Sequence, residues 1–170
     1  AKRFTLYRLV LNPQNPYEYL YDGDYRPIEK RSVTVSVRGD DGQLTTEQHQ
    51  TYFTHYGPVV ESAALGWKDG AAFAIRDAVI DNYLTAETYD ALAKATSTAE
   101  IEAAISQQGV YWTNTIAADR DGNAFYADIS GTPNIDEALL QRCQIPVPES
   151  MSYLILLRGE ESSCEWYDDP

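Results

Sequence analysis

The sequence predicts an α+β fold, and three observations carry that prediction. Up to about residue 56, short runs of alternating apolar and polar residues are broken by turn dipeptides. Between residues 84 and 109 the spacing becomes helical. From 111 to 127 two β-prone runs flank Asp121-Gly122.

The β-rich part opens with Phe4-Thr-Leu-Tyr-Arg-Leu-Val-Leu11, an apolar and aromatic strand stopped by Asn12-Pro13-Gln14-Asn15-Pro16. Tyr17 to Tyr21 forms a short aromatic strand, and Asp22-Gly23-Asp24 a turn. Val33, Val35 and Val37 alternate with Thr34 and Ser36, the period of a half-buried strand. Asp41-Gly42 turns the chain into its hairpin partner, Leu44 to Phe53. Strands this short and close together suggest a small barrel or twisted sheet. Trp67 to Ile75 reads as a further strand pair around Lys68-Asp69-Gly70.

The first helix spans Leu84 to Ala95, with Thr85 as its N-cap, Leu84 stapled to Tyr89, and Tyr89, Leu92 and Ala93 on one side. The second starts at Ser97-Thr-Ala-Glu100, the capping-box pattern, with Ile101, Ala104 and Ile105 as its apolar stripe. Gly109 stands where a helix C-terminus favours glycine. The hairpin Tyr111 to Tyr126 follows, with Trp112 and Asn114 on its first strand. Beyond Gly131-Thr-Pro133 the pattern loses regularity.

The 170 residues can bury a core, and 44% hydrophobic with 23% charged residues is globular rather than disordered. A net charge of −13 disfavours nucleic acid and an anionic membrane surface as partners. No apolar run approaches the roughly 20 residues of a spanning helix. Cys143 and Cys164 lie in a loop-rich segment, which favours one disulfide, and an oxidising compartment, over two buried free thiols. Such a bridge closes a loop of about 20 residues and stabilises by roughly 3 kcal/mol.

Catalytic machinery is sparse. His49 sits among Glu, Gln and Thr in a strand and reads as solvated, and His55, at a strand end, as a hydrogen-bonded structural residue. Two histidines far from the cysteines make a weak zinc site. Asp119-Arg-Asp-Gly-Asn123 resembles the start of a calcium loop, but Ser130 stands where the closing Glu belongs, so a hairpin turn is the better reading. Arg76-Asp77 is a candidate buried pair. No nucleophile elbow, phosphate loop or dinucleotide fingerprint is present.

An ordered set of stretches resembles the penicillin acylase family of N-terminal-nucleophile hydrolases, with the closest likeness to acyl-homoserine lactone acylases. These are Phe4-Thr-Leu-Tyr-Arg-Leu9, Tyr21-Asp-Gly23, Thr54-His-Tyr-Gly-Pro-Val-Val60, Ala74-Ile-Arg-Asp-Ala78, Trp112-Thr-Asn-Thr-Ile-Ala-Ala-Asp-Arg-Asp-Gly-Asn123, Pro133, Cys143, Gly159 and Cys164-Glu-Trp166. The resemblance implies a parent amidohydrolase that deacylates N-acyl amines such as acyl-homoserine lactones or penicillins. Its nucleophile would be an N-terminal Ser whose own α-amine is the base, with a backbone N–H and an Asn side chain holding the oxyanion. This chain opens Ala1-Lys2-Arg3, and so resembles an internal piece of the larger chain that starts after the nucleophile. No catalytic residue is expected within it, Asn114 does not match the oxyanion Asn, and the isolated piece is expected to be inactive.

What carries over is the acyl pocket: Trp112 and Thr113 match positions lining the acyl tunnel, and Tyr89 matches a second aromatic there. The competing reading makes Trp112 and Tyr89 plain core residues. Lys2-Arg3 stands where calcium-binding members carry acids, and Pro133 alone cannot hold the ion, so neither metal nor cofactor is expected. The implied organisation is a small β-rich, barrel-like inserted domain (1–56), part of an αββα hydrolase core with two helices and a β-hairpin (57–142), and an irregular disulfide-closed tail (143–170). The expected setting is periplasmic or secreted. The expected partners are the rest of the acylase and an acyl-amide, and open strand edges would permit a homodimer. A non-enzymatic alternative is a secreted, disulfide-closed domain that binds through its 13 tyrosines.

Overall fold

A computed structural model describes residues 3–62 and 65–167. They fall into two compact units, one of residues 4–76 and 134–167 and one of Arg3 with 77–133. The fold is α+β, as expected, with ten strands and three α-helices among the described residues.

The larger unit is built on β1 (Phe4–Asn12). Its neighbours are β2 (Asn15–Tyr21), β3 (Asp24–Pro27), β7 (Ala71–Asp77) and β10 (Leu156–Arg158), in the order β10-β1-β2-β3 with β7 also paired to β1. β1 runs parallel to β10 from Leu6 to Arg8, then pairs antiparallel with β2 at Leu11 and Asn12, with a register shift between those two residues. Both faces of β1 are covered. Tyr7, Leu9 and Leu11 pack with Tyr19, Tyr21, Tyr56, Ala72, Ala74 and Leu139 on one side, and Leu6 packs with Leu154 and Leu156 on the other. That is why Thr5, Leu6 and Tyr7 are buried in succession, where a half-covered strand would alternate. Tyr7 stacks on Tyr56, centroids 3.9 Å apart.

β4 (Glu29–Arg38) and β5 (Leu44–Thr54) form a ribbon of ten consecutive pairs, extended by β6 (Gly57–Pro58). The expected strand pair around Lys68-Asp69-Gly70 contracts to one bridge, Lys68 to Ala71, before β7. A third helix, α3 (Glu137–Cys143), goes beyond the two expected. Asp136 caps it by accepting from the Leu139 N–H at 2.7 Å, and Arg142 lies in its last turn, a start and stop signature in the sequence. Cys143 and Cys164 form the expected disulfide, both fully buried.

The smaller unit holds α1 (Thr85–Lys94), α2 (Thr98–Ile105) and the hairpin β8 (Asn114–Ala118) and β9 (Ala124–Asp128). Ser97 caps α2 by accepting from the Glu100 N–H, but the Glu100 carboxylate reaches Thr96, accepting from its N–H at 2.6 Å and its hydroxyl at 3.0 Å. Thr85 is not the cap of α1. Leu84 holds that position without a side-chain bond, and the Thr85 hydroxyl donates to the Gly109 carbonyl at 2.9 Å. The buried side of α1 centres on Thr88, not Tyr89, because the small Thr88 allows close approach at Gly109. Gly109 itself is a contact glycine rather than a helix stop. A Cβ there would lie 2.1 Å from Thr88 Oγ1 and 2.4 Å from the Leu84 carbonyl oxygen. Gly122, at φ +87°, makes the hairpin turn as its Asp-Gly signal required.

Gly109→Ala is therefore expected to destabilise the fold by about 2–4 kcal/mol, because the Leu84 backbone carbonyl on one side cannot yield and the buried Thr88 side chain crowds the other. Thr88→Val conserves shape and removes a buried hydroxyl that lacks a partner, so it should be neutral or stabilising by up to about 1 kcal/mol. Urea unfolding of both variants checks the pair.

Candidate functional site

Two groups of residues compete for a functional reading: a polar cluster in the larger unit and three positions in the smaller one. The polar cluster forms where β2, the β5–β6 turn, the end of β7 and the segment after Cys164 converge. Glu165 is its hub. Its Oε1 accepts from the Tyr21 hydroxyl and from His55 Nε2 at 3.1 Å, and its Oε2 accepts from Arg76 Nη1 at 3.0 Å. Tyr19 lies 2.6 Å from His55 Nδ1. With the carboxylate taking the Nε2 proton, Nδ1 is the acceptor and the Tyr19 hydroxyl the donor. Aromatic rings close the cluster: Arg76 lies over Trp166 at 4.6 Å, and His55 packs on Tyr56 at 3.8 Å.

The electrostatics follow from those contacts. The His55 hydrogen bond, then those of Tyr21 and the charge of Arg76, pull the Glu165 carboxyl down to about 2 against its partial burial. Burial first, then the carboxylate beside it, pushes Tyr21 up to about 12. Burial also pushes Tyr7 up to about 12 and Tyr56 higher still. The order Tyr19–His55–Glu165 copies the connectivity of a nucleophile–base–acid relay, but Tyr19 is only 2% exposed, so no substrate atom reaches its oxygen. His55 is thus hydrogen-bonded at both ring nitrogens, and His49 is solvent-exposed with Glu47 at 3.2 Å. Arg76 and Asp77 do not pair with each other. Arg76 goes to Glu165, and Asp77 accepts from Arg3 at 2.6 Å. Glu165 was invisible as a hub because its partners are 89 to 144 residues away in sequence.

Trp112, Thr113 and Tyr89 all belong to the smaller unit. Trp112 and Thr113 precede β8 rather than lying in it, since the strand begins at Asn114. Trp112 meets the ring of Tyr111 edge-on at 4.9 Å, and Arg3 lies over Tyr111 at 4.7 Å. Neither large aromatic is core: Trp112 is 51% exposed and Tyr89 52%. Thr113 is exposed too, and among the described residues Trp112 and Tyr89 share no ring contact. The hairpin continues the same open character, with the cross-strand pair Ile116 and Tyr126 79% and 64% exposed.

Asp119 anchors that hairpin. Its carboxylate accepts from the Asn123 side chain and N–H, from the Asp121 N–H, and from the Thr98 hydroxyl at 3.1 Å. Led by the Asn123 side chain, these donors hold its carboxyl far below the usual carboxylate range. Its lone pairs serve the turn and the start of α2. Among the described residues no three His, Cys, Asp or Glu side chains are placed to share a metal ion. Lys2, part of the metal argument, lies outside the described residues.

Comparison with known proteins shows the family of this chain. The chain is 36% identical over 171 residues to the acyl-homoserine lactone acylase PvdQ of Pseudomonas putida, covering 99% of this chain and 22% of that protein. It is 34% identical over 176 residues to aculeacin-A acylase of Actinoplanes utahensis, again 22% of that protein. The chain therefore spans about 22% of the length of these relatives. A thermostable penicillin G acylase from Alcaligenes faecalis superposes with a TM-score of 0.69 over 97% of this chain and 26% of that one, at 20% identity. The penicillin amidase family model matches residues 1–169, and the chain belongs to that family.

Proposed function

We propose that this chain is a non-catalytic part of an amidohydrolase that cleaves an acyl group from an amine, and that Trp112, Thr113 and Tyr89 help to form the acyl side of its site. The reactive Ser and its α-amine base would lie in other segments of the longer protein, in a periplasmic or secreted setting. The observation that carries this reading is the exposure of Trp112 in a penicillin amidase family chain. A half-open indole is expensive to leave in water, and an alkyl chain is a fitting cover for it. The relatives named as acylases support the reaction class. A purely binding role for the tyrosine-rich surface has no such support.

In the full-length protein, Trp112→Ala should raise KM for long acyl-amides by roughly tenfold or more while changing kcat little, since lost apolar contact acts on binding. Trp112→Phe should recover most of the loss. Equal effects on short and long acyl chains would sink the assignment. The chain by itself should release no amine from an acyl-homoserine lactone or a penicillin, and detectable turnover would contradict the placement of the nucleophile elsewhere.

We assign the Glu165 cluster a scaffolding role. Its carboxyl lies at about 2 in the folded chain against an ordinary 4.5, so it contributes stability that is complete above pH 4.5 and disappears as pH falls toward 2. The contribution is on the order of 2 kcal/mol after allowance for partial exposure. Glu165→Gln should lower the melting temperature at pH 7 and flatten its decline between pH 4.5 and 2. If the variant instead kept full stability at pH 7 but abolished catalysis in the full-length enzyme, the cluster would be part of the reaction centre.

A further inference from the structure

Among the described residues the outer edge of β4 meets no neighbouring strand, and β6 covers β5 only at Phe53 and Thr54. β4 ends the order β4-β5-β6, and all ten of its residues are exposed. Three contacts fix which groups are free. The Gly39 N–H donates to the Gln43 carbonyl at 2.9 Å, and the hydroxyls of Thr45 and Thr51 reach the carbonyls of Val37 and Arg31. Odd-numbered residues thus bond toward β5. In an antiparallel ladder the alternate residues turn the other way, so Lys30, Ser32, Thr34, Ser36 and Arg38 present their N–H and C=O to the open edge. The ten pairs run without a shift, so neither a bulge nor a proline interrupts this edge.

The ribbon is also two-faced. Val33, Val35 and Val37 share one face, 45%, 40% and 38% exposed, while Ser32, Thr34 and Ser36 share the other. The charge of β4 itself is opposite to that of the molecule, although Asp40 and Asp41 of the following turn and Glu47 of β5 are acidic. β4 carries Lys30, Arg31 and Arg38 against Glu29, whereas the chain as a whole is −13. A second copy fits poorly. Antiparallel pairing about Thr34 sets Lys30 opposite Arg38 at both ends, and parallel pairing in register sets Lys30 against Lys30, like charges that destabilise a strand pair. An acidic strand meets the opposite sign at those positions. Repulsion from the rest of the acidic chain reaches it weakly, because charges are screened over about 8 Å at physiological salt.

We propose that the free edge of β4 docks an extended segment of another polypeptide, apolar at every second residue along the valine face and carrying Asp or Glu opposite Lys30 and Arg38. Main-chain hydrogen bonds to the even-numbered residues supply the affinity, and the end charges supply the selection. The inference is independent of the acylase reading.

Two synthetic peptides test it by fluorescence anisotropy with the chain: an alternating Val/Thr peptide with Glu at both ends, and its twin with Lys. The Glu-ended peptide should bind saturably and roughly tenfold or more tighter than the Lys-ended one. In amide exchange, Lys30, Ser32, Thr34, Ser36 and Arg38 should be fast in the free chain and slowed in the complex. Thr34→Pro removes an outward N–H at a position where an edge strand tolerates proline, and should abolish binding with the fold kept. Should that variant fail to fold, the double charge reversal Lys30→Glu with Arg38→Glu should switch the preference to the Lys-ended peptide. No saturable binding, equal binding of both peptides, an unchanged preference after charge reversal, or dimerisation of the chain through β4 would each overturn the proposal.

Discussion

The larger unit depends on where one carboxylate is held. Glu165 receives Tyr21 from β2, His55 from the turn after β5 and Arg76 from the end of β7. Three separate strands and a distant segment thus share one anion. A carboxylate with so many donors is stabilised in its charged form, and its partners would be left unsatisfied without it. The neighbouring covalent and backbone bonds fix its position. Cys164, one residue before it, is bridged to α3, and the Cys164 carbonyl accepts from Tyr7. Trp166, one residue after it, donates to the buried Thr5 hydroxyl at 2.9 Å. The tail, irregular in sequence, is therefore fastened to the central strand at Cys164 and Trp166, on either side of Glu165.

This explains why the core is so rich in tyrosine. Tyr7, Tyr19, Tyr21 and Tyr56 bury large rings, yet each hydroxyl has a partner: Cys164, His55, Glu165 and Gly159. A buried phenol costs little when its oxygen is bonded, and the rings make contacts of their own: Tyr7 stacks on Tyr56, Tyr21 meets Tyr56 edge-on and Tyr19 stacks on His55. Apolar packing and polar satisfaction are met by the same residues. Removing one phenol would leave a cavity and an orphaned partner together, so such positions tolerate exchange poorly.

What could be read from the sequence was local. The strand at β4, the Asp-Gly turn at Gly122 and the Ser97 cap depend on residues a few positions apart and form as expected, but the valine face of β4 is exposed where the alternation predicts a half-buried strand. The misses are long-range. Thr85 has the chemistry of a cap, but its hydroxyl is drawn to Gly109, 24 residues away, and Tyr89 yields the inner side of α1 to Thr88 because Gly109 approaches there. Gly109 stands where a helix stop belongs, yet its reason is contact with Thr88 and Leu84, which no local pattern reveals. The α3 signature was local and legible in Asp136 and Arg142; proline and cysteine in the surrounding segment masked it. For the candidate site, Trp112 and Tyr89 could be singled out as large aromatics, but their exposure, which separates a wall from a core, emerges only in three dimensions.

Burial is divided unevenly along this chain, and the division has a physical meaning. β1 is covered on both faces and ties β2, β7 and β10 together, whereas β4 is exposed on every residue and the β8–β9 hairpin keeps one open face. Strand pairing without a packed face is weak, because two-stranded ribbons are marginal in water without a third layer. The ribbon persists as a continuation of β5 into Tyr52 and Phe53, where Tyr52 joins Tyr17 and Trp67 in an aromatic contact and Arg31 covers Phe53. Stability thus falls from the Glu165 end outward to Arg38 and Leu44. Within this unit the exposed valines of β4 lie along the ribbon beyond that aromatic contact. A chain that packed evenly would have no such surface left for another segment to cover.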